Sequence, residues 1–175
     1  MSNQEKHPLI TRLEALAVEN SPDRGKLATL RRALQNPIEA YPIVLPFMRK
    51  DVGNRELDTY ALLAALFAIY PKSSSAGNFG NHMRLAAGEN IEATERRFVN
   101  LLRANIEDLP ILLRQAVSFI RSKDNILINW EQLRKDLLYW SHPEQFVQKN
   151  WARGFWGFQP EPTNQINSKH HPKEN

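Results

Sequence analysis

Apolar residues recur along most of this chain at the three- and four-residue spacing of amphipathic helices, and no stretch keeps the strict alternation of a half-buried strand. Residues 8–19 place Leu9, Leu13 and Leu16 on one face, and Asn20-Ser21-Pro22 ends that helix. Ser21 is the expected cap and Pro22 the first residue of a second helix over 22–34, striped by Leu27, Leu30 and Leu34. Pro37, Pro42 and Pro46 then break the chain into pieces too short for more than an irregular turn or a short helix.

The most apolar segment is 56–70. Leu57, Tyr60, Ala61, Ala64, Phe67 and Ala68 run along one side and Leu62, Leu63 and Leu66 along much of the other, which predicts a central buried helix. The Ser-, Gly- and Asn-rich stretch 71–81 has too little apolar surface to offset its ordering entropy, so a mobile loop is expected there. In 91–103, Phe98, Leu101 and Leu102 form a stripe. Asp108 is a plausible N-cap with Pro110 in the first turn, before Leu112, Leu113, Ala116, Val117 and Ile120. Asn129 with Gln132, and Ser141 with Glu144 around Pro143, have the spacing of capping boxes and mark two more helix starts. Trp140 stands three residues after Leu137 and Trp151 four after Val147, so at least three of Trp130, Trp140, Trp151 and Trp156 are expected to be core residues, with base stacking as the functional alternative. The fold class is therefore all-α with no sheet, with residues 1–7 flexible, one domain over 8–158 and a disordered tail over 159–175.

Composition narrows this reading. A chain of 175 residues with 42% hydrophobic content builds one good core and is too short for two ordinary domains. The absence of Cys removes disulfides, thiolate metal sites and a Cys nucleophile, and is in keeping with a reducing cytoplasm. No signal-peptide core opens the chain and no apolar run reaches the ~20 residues that span a bilayer, so a soluble protein is expected. The net charge is +4 and the isoelectric point about 9.5. Residues 94–158 carry ten Lys/Arg against seven Asp/Glu, which puts most of the excess basic charge in that region.

Catalytic chemistry finds no footing. His7, His82, His142, His170 and His171 never fall at His-Glu-x-x-His spacing, and neither a Gly-rich phosphate loop nor a Gly-x-Ser-x-Gly elbow occurs. The carboxylate pairs Glu92/Glu95 and Glu107/Asp108 have no partnering His and sit at helix starts, where the helix dipole accounts for them. His170-His171 reads as part of a polar tail, so no catalytic residue, metal site or cofactor is expected. The arginines are more informative: Arg96 and Arg103 are seven apart on a helix face away from the apolar stripe, and Arg114 and Arg121 repeat that spacing.

The order Glu95-Arg96-Arg97-Phe98, Leu101-Leu102-Arg103-Ala104, Leu112-Leu113-Arg114-Gln115-Ala116-Val117, Asn129-Trp130, Asp136-Leu137-Leu138-Tyr139-Trp140 and Trp151-Ala152-Arg153-Gly154-Phe155-Trp156 resembles the CasB family, the small subunit of the type I-E CRISPR surveillance complex Cascade. Leu30-Arg31-Arg32-Ala33 and Leu45-Pro46-Phe47 fall where that family has similar signals, so the resemblance covers roughly residues 8 to 158. It implies a compact α-helical bundle of two subdomains, here 8–88 and 89–158. It also implies two copies stacked head to tail, contacts to the other Cascade subunits that hold the CRISPR RNA, and a basic surface that steadies target and displaced DNA strands. Carried onto matching positions, the expected nucleic-acid contacts are Arg31, Arg32, Arg96, Arg97, Arg103 and Arg114. Loop position and helical spacing add Lys72, Arg84, Arg121, Lys149 and Arg153. The competing reading is a helical adaptor whose Arg faces meet acidic protein surfaces, with no nucleic-acid role.

Overall fold

The structure is a computed structural model that describes residues 5–123 and 125–157. Helices α1 (Pro8–Leu16), α2 (Arg24–Arg32), α3 (Tyr41–Val44), α4 (Asn54–Ile69), α5 (Phe79–Ala87), α6 (Ile91–Leu102), α7 (Leu109–Arg121), α8 (Trp130–Leu138) and α9 (Phe146–Trp156) make up the bundle. Two 3-10 turns, Pro37–Ala40 and Leu45–Phe47, flank α3. Among the described residues the only extended pairing is one parallel bridge between Ser73 and Ile128, so the fold is all-α.

Helix α4 is the axis. It is apolar on nearly all sides, with Leu63, Ala64, Ala65, Leu66, Phe67 and Ala68 buried, and α2, α7 and α8 pack around it. A second centre forms where α5 meets α9, with α6 and α7 against α5. The apolar cluster is continuous from Leu9 to Phe155 and crosses the expected subdomain boundary near residue 88. Trp130, Trp140 and Trp151 lie inside it, whereas Trp156 is 48% exposed and donates to Glu95 Oε1 at 2.7 Å.

Several helix ends differ from expectation. Helix α1 stops at Leu16 rather than 19, and α2 is capped by Asp23, not Ser21. The Asp23 carboxylate accepts from Lys26 N at 3.0 Å and pairs with Lys26 Nζ, a charge-assisted cap that a hydroxyl does not match. Asp108 occupies the N-cap of α7 without using its side chain; Asn105 Oδ1 accepts instead from the N–H groups of Glu107 and Asp108. Asn129 does cap α8 through Gln132 N, but Gln132 turns its amide to Asp136 Oδ1 at 2.8 Å, so the box stays half made. The box expected at Ser141 and Glu144 does not form: α9 begins at Phe146 after Gln145, whose φ of 51° places it in the left-handed region.

The stretch 71–81, expected to be mobile, is tied down by distant backbone. Ser74 N donates to Ile128 O at 2.8 Å, and the Lys72 carbonyl accepts from both Ile128 N and Trp130 Nε1. Asn78 and Asn81 then form a reciprocal capping box that starts α5, a helix the apolar pattern alone did not announce. At the other terminus of the domain, Lys6 pairs with Glu14 and His7 caps α1, so these two residues of the expected flexible 1–7 segment are held. The tail expected over 159–175 lies outside the described residues, as do residues 1–4.

Candidate nucleic-acid interface

A basic side chain is available for a phosphate only if its charge is not already taken by a carboxylate of the fold. Arg134 illustrates the opposite case. Its guanidinium is largely buried, 2.7 Å from Glu131 Oε1 and 3.2 Å from the Tyr60 hydroxyl, while Glu131 Oε2 accepts from His7 N at 3.0 Å. Burial works against the Glu131 charge but is outweighed by Arg134 and the His7 N–H, which hold its carboxyl below the ordinary range. That cluster fastens α1, α4 and α8 together. Arg49 is similarly engaged, with Glu56 at 2.7 Å.

The sequence-predicted cations divide by the same criterion. Arg31 donates through Nε to the Ala68 carbonyl at 2.8 Å, near the C-terminus of α4, where a cation also meets the negative end of the helix dipole. Arg32 pairs with Glu39 at 3.4 Å. Arg84 is half-buried and already has a partner. Arg153 donates to Asn150 Oδ1 at 2.9 Å and lines a polar cleft with Asn78, Asn81 and Gln132. Lys72 and Lys149 are exposed, Lys72 on the segment that bridges to Ile128.

Arg96, Arg97 and Arg103 on α6 and its C-cap, and Arg114 and Arg121 on α7, are all exposed. None of the five forms a hydrogen bond or ion pair to the described residues. The apolar stripes explain why: Phe98 and Leu101 turn α6 inward, Leu113, Ala116, Val117 and Ile120 do the same for α7, and the arginines are left on the outer arcs. Where α6 packs against α7, a groove of about 660 Å³ opens, lined by Arg97 and Arg114 together with Pro110, Ile111, Leu112 and Phe119. It contains two arginines and no carboxylate. Arg97 Cζ stands 5.0 Å from the centre of the Phe119 ring.

The structure thus brings Arg97 and Arg114 into one groove and leaves Arg31, Arg32, Lys72 and Arg153 elsewhere. Sequence reasoning missed Lys123, whose Nζ lies 5.3 Å from the Phe119 ring centre, although its i,i+4 spacing from Phe119 is a readable signal. It also missed Arg55, which lines an adjoining groove with Leu34 and Pro110; nothing local in the sequence marks that placement. Among the described residues no group of His, Asp and Glu is arranged to hold a metal ion, and no helix is long and apolar enough to cross a membrane.

The family model of CRISPR-associated protein Cse2 matches residues 26–156. The chain is 31% identical over 135 residues to the CRISPR-associated protein Cse2 of Thermus thermophilus, covering 74% of this chain and 78% of that one. The crystal structure of CasB from Thermus thermophilus superposes with a TM-score of 0.73 at 29% identity, over 86% of this chain and 96% of the other. A chain of a CRISPR RNA-guided surveillance complex superposes with a TM-score of 0.71 at 25% identity, over 85% and 90% of the two chains.

Proposed function

The chain belongs to the CRISPR-associated Cse2 family, and from that premise we propose that it is a non-catalytic small subunit of a CRISPR RNA-guided surveillance complex that steadies nucleic-acid strands through basic helical faces. The observation that carries this is the set of exposed arginines on α6 and α7, Arg96, Arg97, Arg103, Arg114 and Arg121, none of them neutralised by a carboxylate among the described residues.

The physics suits such a subunit. Sequence in an RNA-guided complex is read by guide pairing, and exchanging a DNA duplex for an RNA–DNA hybrid is close to balanced, so a few phosphate contacts decide whether the opened strands persist. Arginines fixed on helices supply those contacts, and neither a cofactor nor turnover is needed. The likeness to a surveillance-complex chain supports the other Cascade subunits as protein partners. A cytoplasmic location and a second copy of this chain stacked head to tail complete the proposal. The cations outside the α6–α7 layer, Arg31, Lys72, Arg84, Lys149 and Arg153, are secondary contacts in this reading, and Arg32 becomes one only by leaving Glu39.

The adaptor reading draws on a different observation: Ile38, Ile111 and Tyr139 are 63%, 62% and 56% exposed, single apolar side chains that a protein partner would cover. Titration of labelled single-stranded DNA and RNA across a salt series separates the two. The proposed function requires the logarithm of affinity to fall linearly with the logarithm of salt, without sequence preference. Absent binding at low salt, or an affinity that ignores salt, overturns it in favour of the adaptor.

A further inference from the structure

Two carboxylates of α8 lie out of water and are treated differently by the fold. Glu131 faces the Arg134 guanidinium at 2.7 Å. Asp136 is 7% exposed and forms no ion pair to the described residues. Its neighbour Lys135 lies 3.8 Å from Glu131 instead. The hydrogen bonds to Asp136 come from neutral donors, Trp151 Nε1 at 2.6 Å and Gln132 Nε2 at 2.8 Å. Burial outweighs them and pushes its carboxyl above the ordinary range. A buried charge without a counterion is costly, and where such a group lines a cleft a ligand can supply the missing charge.

Asp136 lines the polar cleft of about 620 Å³ to which α5, α8 and α9 contribute, together with Asn78, Asn81, Asn129, Gln132 and Asn150. Four of the amide nitrogens are engaged: Asn78 with the Asn150 carbonyl, Asn81 with that of Gly154, Asn129 with that of Gly77, and Gln132 with Asp136 itself. The helix starts beside the cleft are closed as well, because Asn81 N and Gln132 N already donate to Asn78 and Asn129. What the cleft offers is acceptor capacity: amide oxygens with a second lone pair, around a carboxylate that uses two of its roughly four acceptor positions. Arg153, the cation at the rim, donates to Asn150 Oδ1 at 2.9 Å and leaves Asp136 unpaired. A guanidinium suits this surround better than an ammonium, since its planar fork carries five donors and it is more weakly hydrated. We infer that the cleft is a binding site for an alkylguanidinium group, with Asp136 as its counterion and the Asn and Gln oxygens as further acceptors. This goes beyond the strand-steadying function proposed above and does not depend on it.

Titration of the full chain with n-butylguanidinium at constant ionic strength, followed by the indole N–H resonance of Trp151, tests it. The comparison ligands are neutral N-butylurea, of nearly the same shape, and n-butylammonium. The guanidinium should bind about tenfold or more tighter than the urea, as hydrogen bonds assisted by charge require, with the ammonium between them. Asp136→Asn keeps the shape and an oxygen for the Trp151 N–H, and should weaken guanidinium binding about tenfold, to near the level of the urea. Arg153→Ala removes a like charge from the rim and should tighten binding about twofold to fivefold. An acetylated and amidated Gly-Arg-Gly peptide distinguishes the source of the group. Affinity about tenfold above that of n-butylguanidinium upholds the site for an arginine side chain of a partner polypeptide, and equal affinity upholds it for a free small molecule.

Equal affinity for n-butylguanidinium and N-butylurea overturns the inference, and so does undiminished guanidinium binding by a folded Asp136→Asn. Weaker binding by Arg153→Ala also overturns it, since a rim arginine that helps a ligand marks an anion site. Oligothymidylate binding by Asp136→Asn should match the parent; a parallel loss of strand and guanidinium means that Asp136 acts by holding the fold, and its role as counterion falls. Thermal melting accompanies each variant. Should Asp136→Asn unfold, the parent's preference for guanidinium over urea and the direction of the Arg153→Ala effect still decide the matter.

Discussion

His82 on α5 is buried, and its Nε2 accepts the backbone N–H of Asn129 at 3.1 Å, which ties α5 to the start of α8. A proton on Nε2 would set donor against donor, and burial pushes the imidazole pKa down to about 4 from an ordinary 6.5. The sign follows directly. Between those values the unfolded chain binds a proton that the folded chain refuses, so stability rises with pH across the window and is lost as pH falls through it. The expected loss from His82 is roughly 3 kcal/mol between pH 7 and 4. His7 acts in the same direction, since burial and Arg134 lower its pKa and its Nδ1 accepts the Leu9 N–H that begins α1. Urea unfolding followed by tryptophan fluorescence at several pH values should show His82→Gln with a flatter profile between pH 6.5 and 4.5; parallel profiles for variant and parent would remove His82 as a source of acid sensitivity.

Among the helices, the crossing of α5 over α9 depends on two glycines. A Cβ on Gly80 would run into the carbonyl of Trp151, and one on Gly154 into the Asn78 amide that caps α5. The two helices approach until backbone meets backbone, and the Asn78 and Asn81 amides cross the gap to the carbonyls of Asn150 and Gly154 at 3.0 and 3.1 Å. Ala has the higher helix propensity, by about 1 kcal/mol. At position 80 that gain is outweighed, because the obstructing atoms are main chain and cannot rotate away. Gly80→Ala should destabilise by about 1–3 kcal/mol net, read as a lower urea midpoint with an unchanged m-value. A midpoint at or above the parent's would mean that the helices separate at little cost. Nothing in the local sequence distinguishes Gly80 from the loop glycine Gly77 three residues earlier; the distinction exists only once α9 is laid across it.

Across the bundle as a unit, charge and core occupy different layers, which allows function to be removed without unfolding. Arg96, Arg103 and Arg114 are exposed and make no hydrogen bond or ion pair to the described residues, so replacing all three with Ala should cost no more than about 0.5 kcal/mol each. Each lost phosphate contact should in turn reduce the salt dependence of DNA binding by about 0.9 on duplex, or about 0.7 on a single strand. The expected outcome is paired: melting near that of the parent, and impaired strand opening on target DNA by a surveillance complex rebuilt with the variant. A variant that melts far lower has lost a structural arginine. Normal melting with normal strand opening would place the DNA-facing surface elsewhere.

The helical faces that follow from the spacing of near neighbours were legible before any fold was known, although the caps expected at Ser21, Asp108 and Ser141 were not those that form. The spacing of Leu113, Ala116, Val117 and Ile120 specified the inward face of α7, and thereby the outward position of Arg114 and Arg121. The all-α class and the burial of Trp130, Trp140 and Trp151 were readable for the same reason. The order of short motifs pointed to the family in which the chain is placed. Pairings between residues far apart in the chain emerged only with the packed molecule. Residues 71–81 looked too polar to order because their partners, Ile128, Asn129 and Trp130, come about fifty or more positions later and restrain that stretch through hydrogen bonds. Arg31 and Arg97 look alike in sequence, each in an Arg-Arg pair, yet one donates to a carbonyl of α4 and the other lies over Phe119 at the edge of a groove. Helical periodicity sets the direction of a side chain relative to its own axis; what that side chain meets depends on which helix is packed beside it, and that is fixed only when the core closes.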